Sequence, residues 1–301
     1  MKILVCSDGH ARAEQAIRFI ANMAAASGAE VTVLGIIEHP GDAMTLSETL
    51  RKQVHILRDK NVAVELVTRA GTPIEEIQRQ CAKEKFDLAV IGAERKSGGQ
   101  FAMSAKAYHI IKSIEPPVLV VSQPRTDLQR VLLCSGGAVY IDNAVKLTGH
   151  LVHGRKVAVT ILHVMAEPPA IYAELIERET DVQAILNSST ALGRHLRGEK
   201  EALEKAGVSA EVKLRHGLVV HEILREIRAG DYDLVVTGSA LAAGPLRTYV
   251  MGDVTSEILN RADCAVLVVR GGAQQARGFF AGLRALFGKT KASKQSVVSS
   301  Q

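Results

Sequence analysis

The chain has 301 residues, 47% of them apolar, and a formal net charge of +5. That length and apolar content can bury about two cores, at roughly 150 residues per domain. The charge would suggest a nucleic-acid partner, but the tail beyond Arg270 carries Arg277, Arg284, Lys289, Lys291 and Lys294 and no acid. The tail therefore holds the whole excess, residues 1–270 are neutral, and no nucleic-acid surface is expected.

No apolar run reaches the about 18 residues of a membrane span, and Met1-Lys2 leads into a strand rather than a secretory leader, so a cytoplasmic protein is expected. Cys6, Cys81, Cys134 and Cys264 show neither CxxC nor zinc-ligand spacing. They read as reduced, mostly buried thiols, and no metal site is expected.

In chain order, Lys2–Ser7 is a predicted strand, and after Asp8-Gly9 a helix carries Ala13, Ile17, Ile20 and Ala24 at helical spacing. It stops at Ser27-Gly28, where a glycine suits the C-cap. Strand Val31–Ile37, a helix over Ser47–Asp59 and strand Val62–Val67 follow. Gly71-Thr72-Pro73 then opens a helix, with Thr72 as N-cap, Pro73 at the first helical position and Glu75-Glu76 in the first turn. Strand Leu88–Ile91, a loop, helix Ser104–Ile114 and strand Val118–Val121 close the unit.

A short polar linker, 124–129, leads to a second pass with the same order. It runs strand Val131–Cys134, helix Asn143–Val152, strand Val157–Val164, a helical region, strand Val212–Leu214, helix Val219–Arg228, strand Leu234–Thr237, helix Asp253–Asn260 and strand Val266–Val269. The stretch Asp233–Arg270 is the clearer copy of Asp87–Ser122, so the chain is a tandem duplication. Landmarks drift apart between the copies by about 18 residues, an insertion placed within Glu167–Lys200. Domain 1 is then 1–123, domain 2 is 130–270, and 271–301 is a basic, partly amphipathic and flexible tail.

Five short apolar strands alternating with helices, twice, predict two α/β domains, each a five-stranded parallel sheet flanked by helices. Ligands in such sheets sit at the C-terminal strand ends. Asp8 and Gly92 both lie at such ends.

The opening ILVCSDG, the second strands ending VLGIIE and ILHVMAE, the segments GTPIEEI and GLVVHEI, and the closing PPVLVV and CAVLVV together resemble the universal stress protein family in its tandem form. The resemblance covers nearly all of residues 1–270. It implies Rossmann-like (adenine nucleotide alpha hydrolase-like) domains that pair through their last strands into an internal pseudo-dimer, and a stress-response binding or regulatory role. Some members bind ATP, through an Asp after the first strand and a loop of Gly, two residues, Gly, nine residues, Gly, then Ser or Thr. Such glycines let backbone amides approach phosphates at a helix N-terminus.

The resemblance carries that site to Asp8, Ile36, Ile91, Gly92, Arg95, Lys96, Gly98 and Ser104 in domain 1. The match is incomplete: Arg95 stands at the second glycine, the loop is one residue shorter, and Ser104-Ala105 replaces Gly-Ser. Arg95, Lys96 and Lys106 nevertheless put cations near the phosphate position, and Ser104 can cap the helix. ATP or AMP, with Mg²⁺, is the cofactor this site would take. Domain 2 keeps Gly238 and Gly252 but has Gly136 for the Asp and Asp253 where Ser or Thr belongs. A carboxylate about 4 Å from a phosphate costs roughly 4 kcal/mol at an effective dielectric of ~20, so domain 2 is expected not to bind ATP in the family's manner.

No Ser/His/Asp or HExxH arrangement is present, so no catalytic residue is assigned and the chain is expected not to be an enzyme. Several readings stay open beside the binding module. One is a nucleotide switch or slow ATPase using domain 1. Another is an adaptor docking a membrane surface or an unknown protein through the tail, whose Phe279, Phe280, Leu283, Leu286 and Phe287 can share a helix face. A homodimer of whole chains is a further one. Cys6 and Cys134, in VCSDG and LCSGG, admit a redox reading beside a structural one. The charged segment Glu174–Glu204 admits a lid reading beside a solvated helix.

Overall fold

The computed structural model describes residues 1–93, 103–122, 125, 127–136, 141–166, 181–241, 249–250 and 253–270. Arg95, Lys96, Gly98, Gly252, part of the linker and the tail with its aromatic face lie outside the described residues.

The first half runs β1 (Lys2–Ser7), α1 (Ala11–Ser27), β2 (Glu30–Ile37), α2 (Ala43–Arg58), β3 (Ala63–Ala70), α3 (Pro73–Lys83), β4 (Leu88–Gly92), α4 (Ala105–Ser113) and β5 (Val118–Val121). The second runs β6 (Arg130–Ser135), α5 (Ile141–Val152), β7 (Ala158–Met165), α6 (Val182–Asn187), α7 (Ala191–Lys205), β8 (Ser209–His216), α8 (Val219–Gly230), β9 (Leu234–Leu241), β10 (Tyr249–Val250), α9 (Asp253–Arg261) and β11 (Ala265–Arg270). Both halves are doubly wound α/β units, as the strand-helix alternation requires.

Within each half the strands pair in parallel, in the order β3-β2-β1-β4-β5 and β8-β7-β6-β9-β11. The two closing strands then meet antiparallel, Leu119 opposite Leu267, and join the halves into one sheet. This is the internal pseudo-dimer. The seam is apolar on both faces: Leu119, Val121, Leu267 and Val269 enter the core on one side, and Val118, Val120, Val266 and Val268 the core on the other. Alternate residues of a strand face opposite ways, so runs of Val and Leu are what a sheet covered on both faces requires.

The helices cover those faces. In α1 the residues Ala13, Ala16, Ile17, Ile20 and Ala24 are buried, and the helix ends at Gly28 with φ 59°, whose N–H bonds the last turn. Pro73 opens α3 as expected, but Thr72 makes no side-chain cap bond. Glu76 and Glu222, from the GTPIEEI and GLVVHEI segments, are buried carboxylates paired with Arg69 and Arg79, and with Arg215 and Arg225. The added segment, where described, forms two helices that pack on each other and on β8. Asp181 caps α6 by accepting from Gln183 and Ala184, and Arg197 of α7 holds the Leu186 and Ser188 carbonyls.

Strands β8 and β9 exceed expectation most. Strand β8 spans Ser209–His216 at the outer edge, and β9 continues past Thr237 to Leu241, where a short antiparallel ladder with β10 places Leu241 opposite Tyr249. The period of a strand is set locally, but its length depends on what lies beside it. A partner strand for 240–241 is supplied from residues nine positions later.

Candidate functional site

The C-terminal ends of β1, β2 and β4 and the N-terminus of α4 surround a cavity of about 530 Å³. Its wall brings together Asp8, Ile36, Ile91, Gly92 and Ser104, five residues scattered between positions 8 and 104. The sheet assembles them because parallel strands all end at the same edge. Cys6, Ser7, Ile77, Ala107 and Ile110 complete an apolar floor with small polar groups.

Asp8 lies at the mouth, between β1 and α1. Its carboxylate accepts from Arg12 Nε at 2.9 Å and is ion-paired with the Arg12 guanidinium, and it accepts from the His10 amide at 3.1 Å. Burial alone would raise this carboxyl, but the bonds from Arg12 and His10 outweigh it and hold Asp8 below the usual carboxylate range. Across the mouth, Glu38 is ion-paired with Lys106. Sequence reasoning singled out Lys106 but missed Arg12 and Glu38. The four-residue step from Asp8 to Arg12 across the turn was the available signal for the first pair. Nothing local signals the second, 68 residues apart in the chain.

Gly92 ends β4 against the first turn of α1. A Cβ there would lie 2.3 Å from the Arg12 carbonyl oxygen and 2.8 Å from the Ala13 nitrogen. The glycine is thus required by strand-helix packing before any ligand is considered. On the opposite wall Ser104 caps α4, its Oγ accepting from the Ala107 amide at 3.1 Å. The cleft is thus lined by a hydroxyl, a helix N-terminus, the Lys106 ammonium paired with Glu38, and the Asp8 carboxylate paired with Arg12.

The equivalent region of the second half is built differently. Gly136 follows β6 where Asp8 follows β1, and Asp253 is the first residue of α9. Gly238 is held to that helix because Thr255 donates its hydroxyl to the Gly238 carbonyl at 2.7 Å, with Thr237 Oγ1 3.3 Å away. Beneath, Ser135 donates to the buried Glu199 at 2.9 Å, His195 Nε2 is 2.7 Å from the same oxygen, and His163 Nδ1 faces the Ser135 carbonyl at 2.8 Å. The Glu199 carboxylate, not an imidazole, takes the Ser135 hydroxyl, so this is not a nucleophile-base arrangement.

Burial pushes the Cys6 thiol well above its ordinary value and the Cys134 thiol up to about 12. Such thiols stay protonated, which favours the structural reading of both. His221 Nδ1 sits 3.0 Å from Glu222 Oε1, as a surface partner of that carboxylate. Among the described residues no group of three His, Cys, Asp or Glu side chains could hold a metal ion. Among the same residues no helix is long and apolar enough to cross a membrane.

Fold and cleft define a class: a tandem Rossmann-like α/β protein with its cleft at the C-terminal edge of the first sheet half. The universal stress protein family profile matches residues 1–122 and again 128–270, and the chain belongs to that family. Universal stress protein Slr1230 of Synechocystis sp. is 26% identical over 89% of this chain and 99% of its own length. A universal stress protein of Methanothermobacter thermautotrophicus is 22% identical over 48% of this chain and 97% of its own length, as a single-unit relative would be. The solved structure of a universal stress protein from Archaeoglobus fulgidus superposes with a TM-score of 0.71 over 90% of this chain and 98% of that one, at 15% identity.

Proposed function

We propose that this chain is a non-catalytic regulatory module whose first half binds an adenine nucleotide such as ATP or AMP and whose second half does not. The observation that carries the reading is the polarity of the first cleft. Asp8 stands where a ribose hydroxyl would donate, Ile36, Ile91 and Ile77 offer an apolar bed for a base, and Ser104 with the α4 N-terminus offers donors to phosphate. Among the described residues the cleft holds two carboxylates, Asp8 and Glu38, and each is already paired with a cation. The protein's own groups therefore suit hydrogen bonding better than metal coordination, and Mg²⁺ would arrive with the phosphates.

Calorimetric titration of the full chain with ATP and with AMP tests this. The expected result is one nucleotide per chain with a Kd on the order of micromolar, weakened at least about tenfold by Asp8→Ala. No binding, or unaltered binding in Asp8→Ala, overturns the reading. Phosphate release from ATP in the same samples separates a binding module from a slow ATPase. Because β5 and β11 already pair inside the chain, association of whole chains would use other surfaces.

A further inference from the structure

Helix α4 edges the first-half cleft, yet two of its flanking main-chain groups are satisfied from the second half. The Met103 amide, just before the Ser104 cap, donates to Asn260 Oδ1 of α9 at 3.2 Å. The Ile111 carbonyl, among the last four that a helix leaves without an internal partner, accepts from the guanidinium of Arg270 on β11. Strand β10 lies against the same helix. All three contributors come from 249–270, the part of the second half that corresponds to the first half's own phosphate-side loop, helix and closing strand.

We propose that the second half acts as a brace on α4, and that Asn260 is a positioning residue that fixes the phosphate-binding end of the first-half cleft. The proposal rests on the nucleotide reading given above. A helix N-terminus attracts an anion only if its amides are held toward the ligand, and Met103 is the point at which the chain enters that turn. Antiparallel pairing of β5 with β11 is what carries α9 within reach. The duplicated half thus lends its former binding segment to its neighbour. Arg270 is buried at the seam and Asn260 is partly exposed, so Asn260 is the position that can be changed without opening the core.

The test compares Asn260→Ala and Asn260→Asp with the parent in the full chain. Asp keeps an oxygen acceptor at the same place. The first readout is amide hydrogen exchange of Met103 and Ala107 without nucleotide. Ala is expected to speed Met103 exchange about fivefold, the worth of one hydrogen bond, and Asp to restore protection. The second is calorimetry with AMP and with adenosine, where Ala is expected to weaken AMP about fivefold and leave adenosine unchanged. If the parent binds AMP, and Ala changes neither its affinity nor the exchange, the brace is overturned while the cleft stands. Equal weakening of AMP and adenosine also overturns it, since a general loosening is then the cause. So does failure of Asp to restore protection. If the parent binds no AMP, the nucleotide reading falls, and exchange alone decides: faster exchange confined to the first turn of α4 supports the brace, and unchanged exchange rejects it.

Discussion

Gln53 and Glu199 occupy the same place in the two halves. Each is buried under the end of the first strand of its unit, and each accepts the hydroxyl of that strand's last residue, Ser7 at 2.7 Å and Ser135 at 2.9 Å. The first half therefore carries a neutral amide where the second carries an ionisable acid. The neighbours change in step. Gly35, paired beside Ser7, accommodates Leu50 so closely that a Cβ would lie 2.2 Å from its methyl. Its counterpart beside Ser135 is His163.

That difference predicts a pH-dependent second half. Burial raises Glu199 to about 7 against an ordinary 4.5, opposed by the bond from Ser135, and burial lowers His163. Asp142 on α5 adds a like charge, and His195 Nε2 on α7 lies 2.7 Å from the acid. An acid whose folded pKa exceeds its unfolded value gives stability that is full below about pH 4.5 and is lost as pH rises through about 7. Glu199→Gln is expected to flatten the fall between about pH 4.5 and 7 and to raise stability at pH 8 by about 1–3 kcal/mol. Urea denaturation at several pH values checks this, and a slope equal to the parent's would reject it. Gln53→Glu should introduce the same slope into the first half.

Gly92→Ala places a methyl 2.3 Å from the Arg12 carbonyl, where backbone must yield. A loss of about 1–3 kcal/mol is expected from this overpacking. Gly198, inside α7, has nothing within 4 Å of its would-be Cβ, so Gly198→Ala should add about 0.5–1 kcal/mol through helix propensity. Thermal melts of the two variants should move in opposite directions.

Asp233 ties the linker to the second half. Its carboxylate accepts from Arg125 at 2.6 Å and from the amides of Gln129 and Arg130 at 2.8 and 2.9 Å. Asp233→Ala leaves the two amides without this acceptor and should cost about 2–3 kcal/mol. Arg125→Ala keeps the amide bonds and should cost less. Chemical denaturation orders the two, and equal losses would show that the ion pair, not the amide capture, dominates.

Arg12→Ala releases the Asp8 carboxylate from the pair that helps to hold it below its usual range. Carbon-detected NMR titration should find Asp8 moved upward in the variant. An unmoved titration would mean that the His10 amide, at 3.1 Å, suffices alone.

Much of this was legible in the sequence because periodicity is local. The Val and Leu runs at Val118–Val121 and Ala265–Arg270, and the Ala and Ile stripe of α1, fixed strands, helix and duplication. The absence of an Asp at Gly136 and the presence of Asp253 were likewise visible as residue types. Tertiary structure alone decided the rest. It paired Glu38 with Lys106, gave Gly92 its packing role, extended β9 into a ladder with β10, and put Glu199 where Gln53 sits. It also set Asn260 against Met103, 157 residues away. The reason is physical: backbone preference and apolar period act over a few neighbouring residues, whereas a polar side chain's partner is chosen by what the folded sheet brings within about 3 Å.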